Sequence, residues 1–260
     1  MELPLYIIDA FTEKPFGGNP AAVCPLPEWI EDNQMQAIAA ENNLSETAFF
    51  VPVDSGFKLR WFTPKVEVSI CGHATLASAF VLFRHLDYRE EEISFQTGSG
   101  ELKVKRRGDL LVMDFPARTP IPADPPELLV RGLGKTPSEV LTAENTYMCV
   151  FKMEEQVAEL KPDLRVIEQL DLARVIVTAP GNKADFVSRF FAPRVGIPED
   201  PVTGSAHCTL IPYWAQKLGK REMSAVQLSK RQGQLYCKHM GERVDIAGKA
   251  LTYSVGSIYL

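Results

Sequence analysis

The chain has 260 residues, of which 45% are hydrophobic and 23% charged, the balance of an ordinary globular protein of one large or two small domains. With 28 Lys and Arg against 33 Asp and Glu, the net charge is −5 at pH 7. Nucleic acid is therefore not a predicted partner, because no basic excess is available for phosphates. No run of about 18 apolar residues predicts a membrane span, and no basic leader predicts a signal peptide. A cytoplasmic location is expected.

The predicted elements follow one another along the chain with few ambiguous stretches. The hydrophobic patterns predict, in order, a helix at 32–42, strands at 48–53 and 57–62, a helix at 72–86, strands at 102–105 and 110–115, weaker helices at 125–133 and 164–170, strands at 175–179 and 185–191, a helix at 204–218, and strands at 234–238, 244–247 and 251–260. The stretch 116–126 holds five prolines, which suit a linker because proline continues neither helix nor strand.

The chain repeats itself once. Phe62-Thr63-Pro64-Lys65-Val66 is answered by Phe191-Ala192-Pro193-Arg194-Val195, and matching residues around these segments keep an offset between 128 and 133. This order predicts two similar domains of an α+β fold, each a barrel-like, mostly antiparallel sheet around a central buried helix. We expect domains at 1–117 and 118–260. Whether strand 251–260 returns to the first domain is left open by the sequence.

The two apolar helices begin at glycines in loops of small residues, Gly72 after Cys71 and Gly204 before Ser205. A helix N-terminus presents unbonded N–H groups and a partial positive charge, and glycine lets a ligand approach them. Two such ends would hold a carboxylate even in an acidic protein. The alternative is that these small residues only cap the helices.

Ser45 and Glu46 precede an apolar strand. A carboxyl against apolar surroundings has a raised pKa and suits general acid–base catalysis. The equivalent place in the second half holds Ala173 and Arg174, so one unduplicated acid predicts a single active site between the domains. A simple turn at the start of the strand is the alternative. His73 and Asp200, in the two matching loops, are further candidates.

The cysteines do not indicate a metal or a disulfide framework. They are five in number, scattered, and no two stand in a Cys-x-x-Cys motif, so free thiols in a reducing compartment are expected. His85, His207 and His239 show no ligand spacing with one another. No metal site is predicted.

Several motifs stand together in the order of one known family. They are Asp9-Ala10-Phe11-Thr12, Pro15-Phe16-Gly17-Gly18-Asn19-Pro20, Ser45-Glu46-Thr47-Ala48-Phe49, Phe62-Thr63-Pro64, Gly72-His73-Ala74-Thr75 and Glu199-Asp200-Pro201-Val202-Thr203-Gly204-Ser205-Ala206. With these motifs the chain resembles the phenazine-biosynthesis-like PhzF family, which has the diaminopimelate-epimerase-like fold.

The resemblance implies an isomerase without metal or organic cofactor, acting on a small carboxylic acid in the cleft between two domains. Glu46 would be the acid–base group, assisted by His73 and Asp200. Residues implied to bind the substrate are Asn19, Ser45, Gly72, Thr203, Gly204 and Ser205. The resemblance also implies a homodimer.

One departure from related enzymes keeps other functions open. Epimerases of this fold use two thiols, one from each half. Cys71 stands where one of them would be and would be favoured as a thiolate by the helix start, whereas the matching loop at Asp200 has no thiol. A cysteine-dependent amino-acid racemase or epimerase, with Cys71 paired to Asp200 or Glu46, is the first alternative. A non-catalytic protein that binds small acids is the second.

Overall fold

Two units divide the chain in the computed structural model, which describes residues 1–260. The first is Met1–Phe115 together with Ile246–Leu260, and the second is Pro116–Asp245. None of the helices has the length and hydropathy needed to cross a bilayer.

The elements follow the predicted α+β order. As far as the unit boundary they are β1 (Glu2–Ala10), β2 (Asn19–Pro25), α1 (Asp32–Asn42), β3 (Glu46–Val53), β4 (Gly56–Phe62), β5 (Glu67–Val68), α2 (Gly72–His85), β6 (Glu92–Thr97), β7 (Gly100–Arg107) and β8 (Leu110–Pro116). After it come β9 (Ile121–Pro122), α3 (Glu127–Leu133), β10 (Glu139–Ala143), β11 (Thr146–Val150), α4 (Glu154–Ala158), α5 (Leu164–Ile167), β12 (Arg174–Pro180), β13 (Phe186–Phe191), a 3₁₀ turn (Pro193–Val195), α6 (Gly204–Leu218), β14 (Glu222–Gln227), β15 (Gly233–His239), β16 (Arg243–Gly248) and β17 (Ala250–Tyr259).

The two units repeat the same order of strand pairs. In the first, β1 pairs antiparallel with β2, β2 parallel with β3, β3 antiparallel with β4, β4 parallel with β6, and β6 antiparallel with β7. In the second, β10 to β15 pair in the same alternation of directions. The expectation of two similar domains with mostly antiparallel sheets is confirmed.

Each unit has one long helix that is buried on most of its surface. Helix α2 packs on β1, β2 and β3 and buries nine of its 14 residues, from His73 to Leu82. Helix α6 buries Gly204 and all of Ala206–Ala215. Because both helices are apolar on nearly every face, they are stable only when the surrounding sheet buries them. Their N-termini are therefore held in fixed positions.

A proline interrupts the bonding of α6 without breaking the helix. Pro212 lies inside it and, lacking an N–H, cannot bond the carbonyl of Cys208 four residues earlier. The backbone N–H of Arg118 donates to that carbonyl over 2.9 Å. The linker after β8 thus supplies the hydrogen bond that the proline removes, since a buried carbonyl needs a partner.

The C-terminal strand returns to the first unit. β17 pairs antiparallel with the whole of β1, from Glu2 opposite Tyr259 to Ala10 opposite Ala250. Residues 246–260 therefore belong structurally with the first unit rather than with the remainder of 118–260.

Candidate functional site

A cluster of polar side chains lies buried at the start of α2 in the first unit. Glu46 is the first residue of β3, and β3 lies beside β2, which begins at Asn19. His73 is the second residue of α2. Glu46 is 8% exposed, His73 5% and Asn19 0%, so the protein positions these groups against one another with little competition from water.

His73 is the centre of this cluster. Its Nε2 lies 3.1 Å from Oε2 of Glu46, and its Nδ1 lies 3.2 Å from Nδ2 of Asn19. A charged imidazole donates from both nitrogens, so Nδ1 then needs an acceptor. A half-turn of the Asn19 side-chain amide places its oxygen in that position. The ring is therefore held from both sides, with one nitrogen on the carboxylate.

The pKa of Glu46 is lowered, not raised as its sequence surroundings predict. Burial alone would raise the pKa of Glu46, as expected from its apolar strand, but the charge and hydrogen bond of His73 outweigh burial and lower the pKa. Burial disfavours a charged His73, but the hydrogen bond with Cys71 and the neighbouring Glu46 carboxylate outweigh burial and raise the pKa of His73 well above its usual value. Glu46 is thus a carboxylate at neutral pH, ready to accept a proton.

Cys71 completes the cluster but is not activated. It is the N-cap residue of α2, with Sγ 3.5 Å from Nδ1 of His73. Burial and the nearby charge of Glu46 raise the pKa of Cys71 to about 11, which disfavours the thiolate that the alternative of a cysteine-dependent enzyme requires. The partial positive charge at the helix N-terminus favours a thiolate, but it does not offset the burial of the sulfur.

All five cysteines are buried, and we expect them to resist alkylation. Burial raises the pKa of Cys24 to about 12 and that of Cys208 to about 11, and it also raises the pKa of Cys149 and Cys237. Iodoacetamide at pH 7.5 should modify the native protein far more slowly than free cysteine, because the thiolate is the nucleophile. Urea-unfolded protein is the control and should react at all five positions. Rapid modification of one thiol, mapped to Cys71, would contradict this prediction.

The second unit holds Asp200 and Thr203 in one tightly bonded loop. Thr203 Oγ1 donates to Asp200 Oδ2 over 2.5 Å. Gln227, at the end of β14 and 0% exposed, accepts from the N–H of Thr203 at 2.8 Å and donates to the carbonyl of Asp200 at 2.8 Å. Ser229 donates to the carbonyl of Pro201. The loop before α6 is therefore fixed before any ligand arrives.

Gln227 is a positioning residue that sequence reasoning missed. It lies 24 residues beyond Thr203 in an ordinary strand pattern, so no local motif marks it. We expect Gln227→Leu to destabilise the protein by about 2–4 kcal/mol, since it leaves buried backbone groups of the loop unpaired. The matched change Gln216→Leu, on an exposed residue of α6, should stay within about 0.5 kcal/mol. Urea titration of both variants measures the difference, and equal stabilities would show that the loop does not depend on Gln227.

Neither helix start is closed by its own N-cap side chain. The N-cap residues are Cys71 and Thr203, and neither makes a side-chain capping bond. The glycines that follow, Gly72 and Gly204, are the first helical residues, so the alternative that they cap the helices does not hold. Ser205 is half-buried in the first turn of α6, and Ser45 is half-buried in the bend before β3.

The structure places the predicted residues in two groups. Glu46, His73, Asn19 and Cys71 meet within the first unit. Asp200 and Thr203 meet within the second. Glu46, Cys71 and His73 bring their ligand atoms within 4.8 Å of one another, so the first group is also a candidate cation site. The spacing of these residues in the sequence did not indicate it.

Comparison with known proteins identifies the family. The family model described as "Phenazine biosynthesis-like protein" matches residues 8–256. An uncharacterized isomerase of Pseudomonas aeruginosa is 53% identical over the full length of both chains. A PhzF family protein of Enterococcus faecalis superposes with a TM-score of 0.98 at 46% identity and full coverage of both chains. A hydroxyproline epimerase of Agrobacterium vitis shares the fold alone, with a TM-score of 0.62 at 10% identity, covering 99% of this chain and 92% of the epimerase. The chain therefore belongs to the phenazine biosynthesis-like PhzF family.

Proposed function

We propose that the protein is an isomerase that moves a proton between two carbons of a small carboxylic acid, with Glu46 as the acid–base group and no organic cofactor. The observation that carries this proposal is the buried Glu46–His73 pair, 3.1 Å apart at the start of α2. The names of the related proteins support the reaction class, since a full-length relative at 53% identity is named an isomerase.

The chemistry needs only a proton and a shift of double bonds. The Glu46 carboxylate takes a proton from a carbon alpha or vinylogous to the substrate carboxylate. The electron pair of the broken C–H bond moves into the conjugated system and onto the carboxylate oxygens. The protonated Glu46 then returns the proton to a different carbon, so nothing is oxidised or reduced and the carboxylate is regenerated.

The surroundings of Glu46 suit this cycle. His73 holds the carboxylate by a hydrogen bond and by charge, and Asn19 fixes the ring from its other side. The N–H groups at the start of α2, beginning at Gly72, favour negative charge as it develops on a substrate. In the second unit Asp200 remains a predicted catalytic residue that assists Glu46, and Thr203, Gly204 and Ser205 remain predicted substrate contacts. The homodimer also remains a prediction.

The cysteine-dependent racemase is the weaker alternative. It requires a thiolate at Cys71, whereas burial and Glu46 raise the pKa of that thiol to about 11. A carboxylate whose pKa is lowered lies beside it. At neutral pH Glu46 is therefore ionised and can accept a proton, whereas Cys71 is a neutral thiol and cannot.

A heavy-water screen tests the proposed reaction. The protein is incubated in D₂O with a pool of small carboxylic acids and cell extract, and mass spectrometry detects compounds that gain deuterium. We expect uptake by an unsaturated or amino-substituted acid, lost in Glu46→Gln. Uptake lost only in Cys71→Ser would favour the racemase instead. Saturable binding of an acid with no uptake would favour the non-catalytic binder.

A further inference from the structure

The geometry of the Glu46 cluster points to a second ligand. We infer that Glu46, Cys71 and His73 bind one thiophilic divalent cation, such as Zn²⁺, and that the bound ion blocks the site. The binding follows from the structure of the cluster alone. The inhibition rests on the proposed function.

The three side chains are those that zinc prefers. Zinc takes thiolate, imidazole and carboxylate ligands at about 2.0–2.3 Å in a tetrahedral arrangement, which sets neighbouring ligand atoms about 3.3–3.7 Å apart. Here Oε2 of Glu46 lies 3.1 Å from Nε2 of His73, and Sγ of Cys71 lies 4.0 Å from the same nitrogen. Sγ lies closer to the other ring nitrogen, 3.5 Å from Nδ1, so coordination through Nε2 requires the Cys71 side chain and the His73 ring to rotate about their side-chain bonds.

Asn19 supplies the outer support that a histidine ligand needs. A neutral imidazole that binds metal through Nε2 carries its proton on Nδ1, and that N–H is usually held by an acceptor. The amide of Asn19 lies 3.2 Å from Nδ1 and presents an oxygen to it after a half-turn. The residue that orients His73 for proton transfer therefore also orients it for coordination.

Three ligands leave one tetrahedral position open. Zinc sites with three protein ligands and an open position bind water or a small oxygen ligand there. Cys71, Glu46 and His73 are each at least 5% exposed, whereas Asn19 behind them is not. Oε2 of Glu46 itself is buried, so a ligand in the open position would be shielded from bulk water.

A bound ion removes the groups that move protons. It occupies the oxygen of Glu46 and the ring nitrogen of His73 that face each other. A carboxylate that coordinates zinc is a much weaker base, and a coordinated nitrogen carries no proton to donate. Turnover should therefore fall in proportion to occupancy, and a chelator should restore it.

Cobalt provides a readout that does not depend on activity. Co²⁺ takes zinc sites, and its bond to a thiolate absorbs in the near ultraviolet. We expect chelator-treated full-length protein to bind one Co²⁺ per chain with this absorption, and Zn²⁺ to abolish it. Cys71→Ser should lose the band, whereas Cys24→Ala, which changes another buried thiol of the same unit, should keep it. Absence of a band in the wild-type protein would overturn the site, whatever the enzyme does.

A second variant keeps the test decisive if the Cys71→Ser protein does not fold. Asn19→Ala keeps all three ligands, and we expect it to weaken Co²⁺ binding by about 10–100-fold, the usual effect of losing an outer-shell partner. Unchanged affinity in Asn19→Ala would contradict the proposed coordination through Nε2. Suppose that wild-type protein shows the cobalt band but Zn²⁺ does not reduce deuterium uptake by the substrate. The proposed inhibition would then be wrong, and the binding site would stand.

Discussion

Glu46→Gln should lower the rate of substrate isomerisation by about 10²–10⁴-fold, the usual contribution of a positioned acid–base group. Glutamine keeps the shape of the side chain and can still accept a hydrogen bond from His73, but it cannot take a proton from carbon. Substrate binding should change far less than turnover, so kcat falls while the dissociation constant stays within a few-fold. Stopped assays of product formation, with calorimetric titration of binding, separate the two effects.

Glu41→Gln is the matched control for this result. Glu41 is exposed on α1, five residues before Glu46, and lies outside the cluster. The same chemical change there should leave turnover and melting temperature unaltered. Full turnover in Glu46→Gln would contradict the assignment of the proton transfer to this carboxylate.

Gly18→Ala should cause a large loss of stability and disturb the site with it. Gly18 has φ of +65°, and a Cβ there would lie far inside contact distance of the carbonyl oxygen of Ala10 and 2.9 Å from Cγ2 of Thr12. Because a backbone carbonyl cannot swing away as a flexible side chain does, we expect a cost of about 3 kcal/mol or more. In a protein of this size that lowers the melting temperature by roughly 6–12 °C. Asn19, the next residue, should lose its contact with His73.

Gly219→Ala separates the clash from the backbone strain. Gly219 has φ of +64°, nearly that of Gly18, but a Cβ there would meet nothing within 4 Å. This variant should carry only the cost of the left-handed backbone, about 1–2 kcal/mol. Calorimetric melting of the two variants gives the comparison. Equal melting temperatures would show that the packing against Ala10 is unimportant.

The fold was predictable where periodicity and repetition coincide. Helix α1 was predicted at its observed residues. Helices α2 and α6 were predicted to within one residue, because their apolar patterns are long and their starts are marked. The repeat of Phe62-Thr63-Pro64 with Phe191-Ala192-Pro193 predicted two similar units, and the strand pairs repeat accordingly. Short strands such as β5 and β9, two residues each, carry too little pattern to be seen in sequence.

The sequence marks individual members of the Glu46 cluster but not their electrostatic arrangement. Glu46 and His73 were marked by their positions at a strand start and a helix start. Their pKa values depend on a 3.1 Å contact across 27 residues of chain, which no local pattern contains. Burial without that contact would have raised the pKa of Glu46, as the sequence suggested. Gln227 was missed for the same reason, since its function depends on a loop 24 residues away.

The most direct test of single-carboxylate proton transfer follows the hydrogen itself. Substrate found in the heavy-water screen is prepared with deuterium at the carbon that loses its proton and is converted in ordinary water under single-turnover conditions. Glu46 is only 8% exposed and in the proposed mechanism both takes and returns the proton, so part of the deuterium should appear at the receiving carbon of the product. Product that carries no deuterium at all would contradict transfer by one shielded carboxylate and would favour two separate bases.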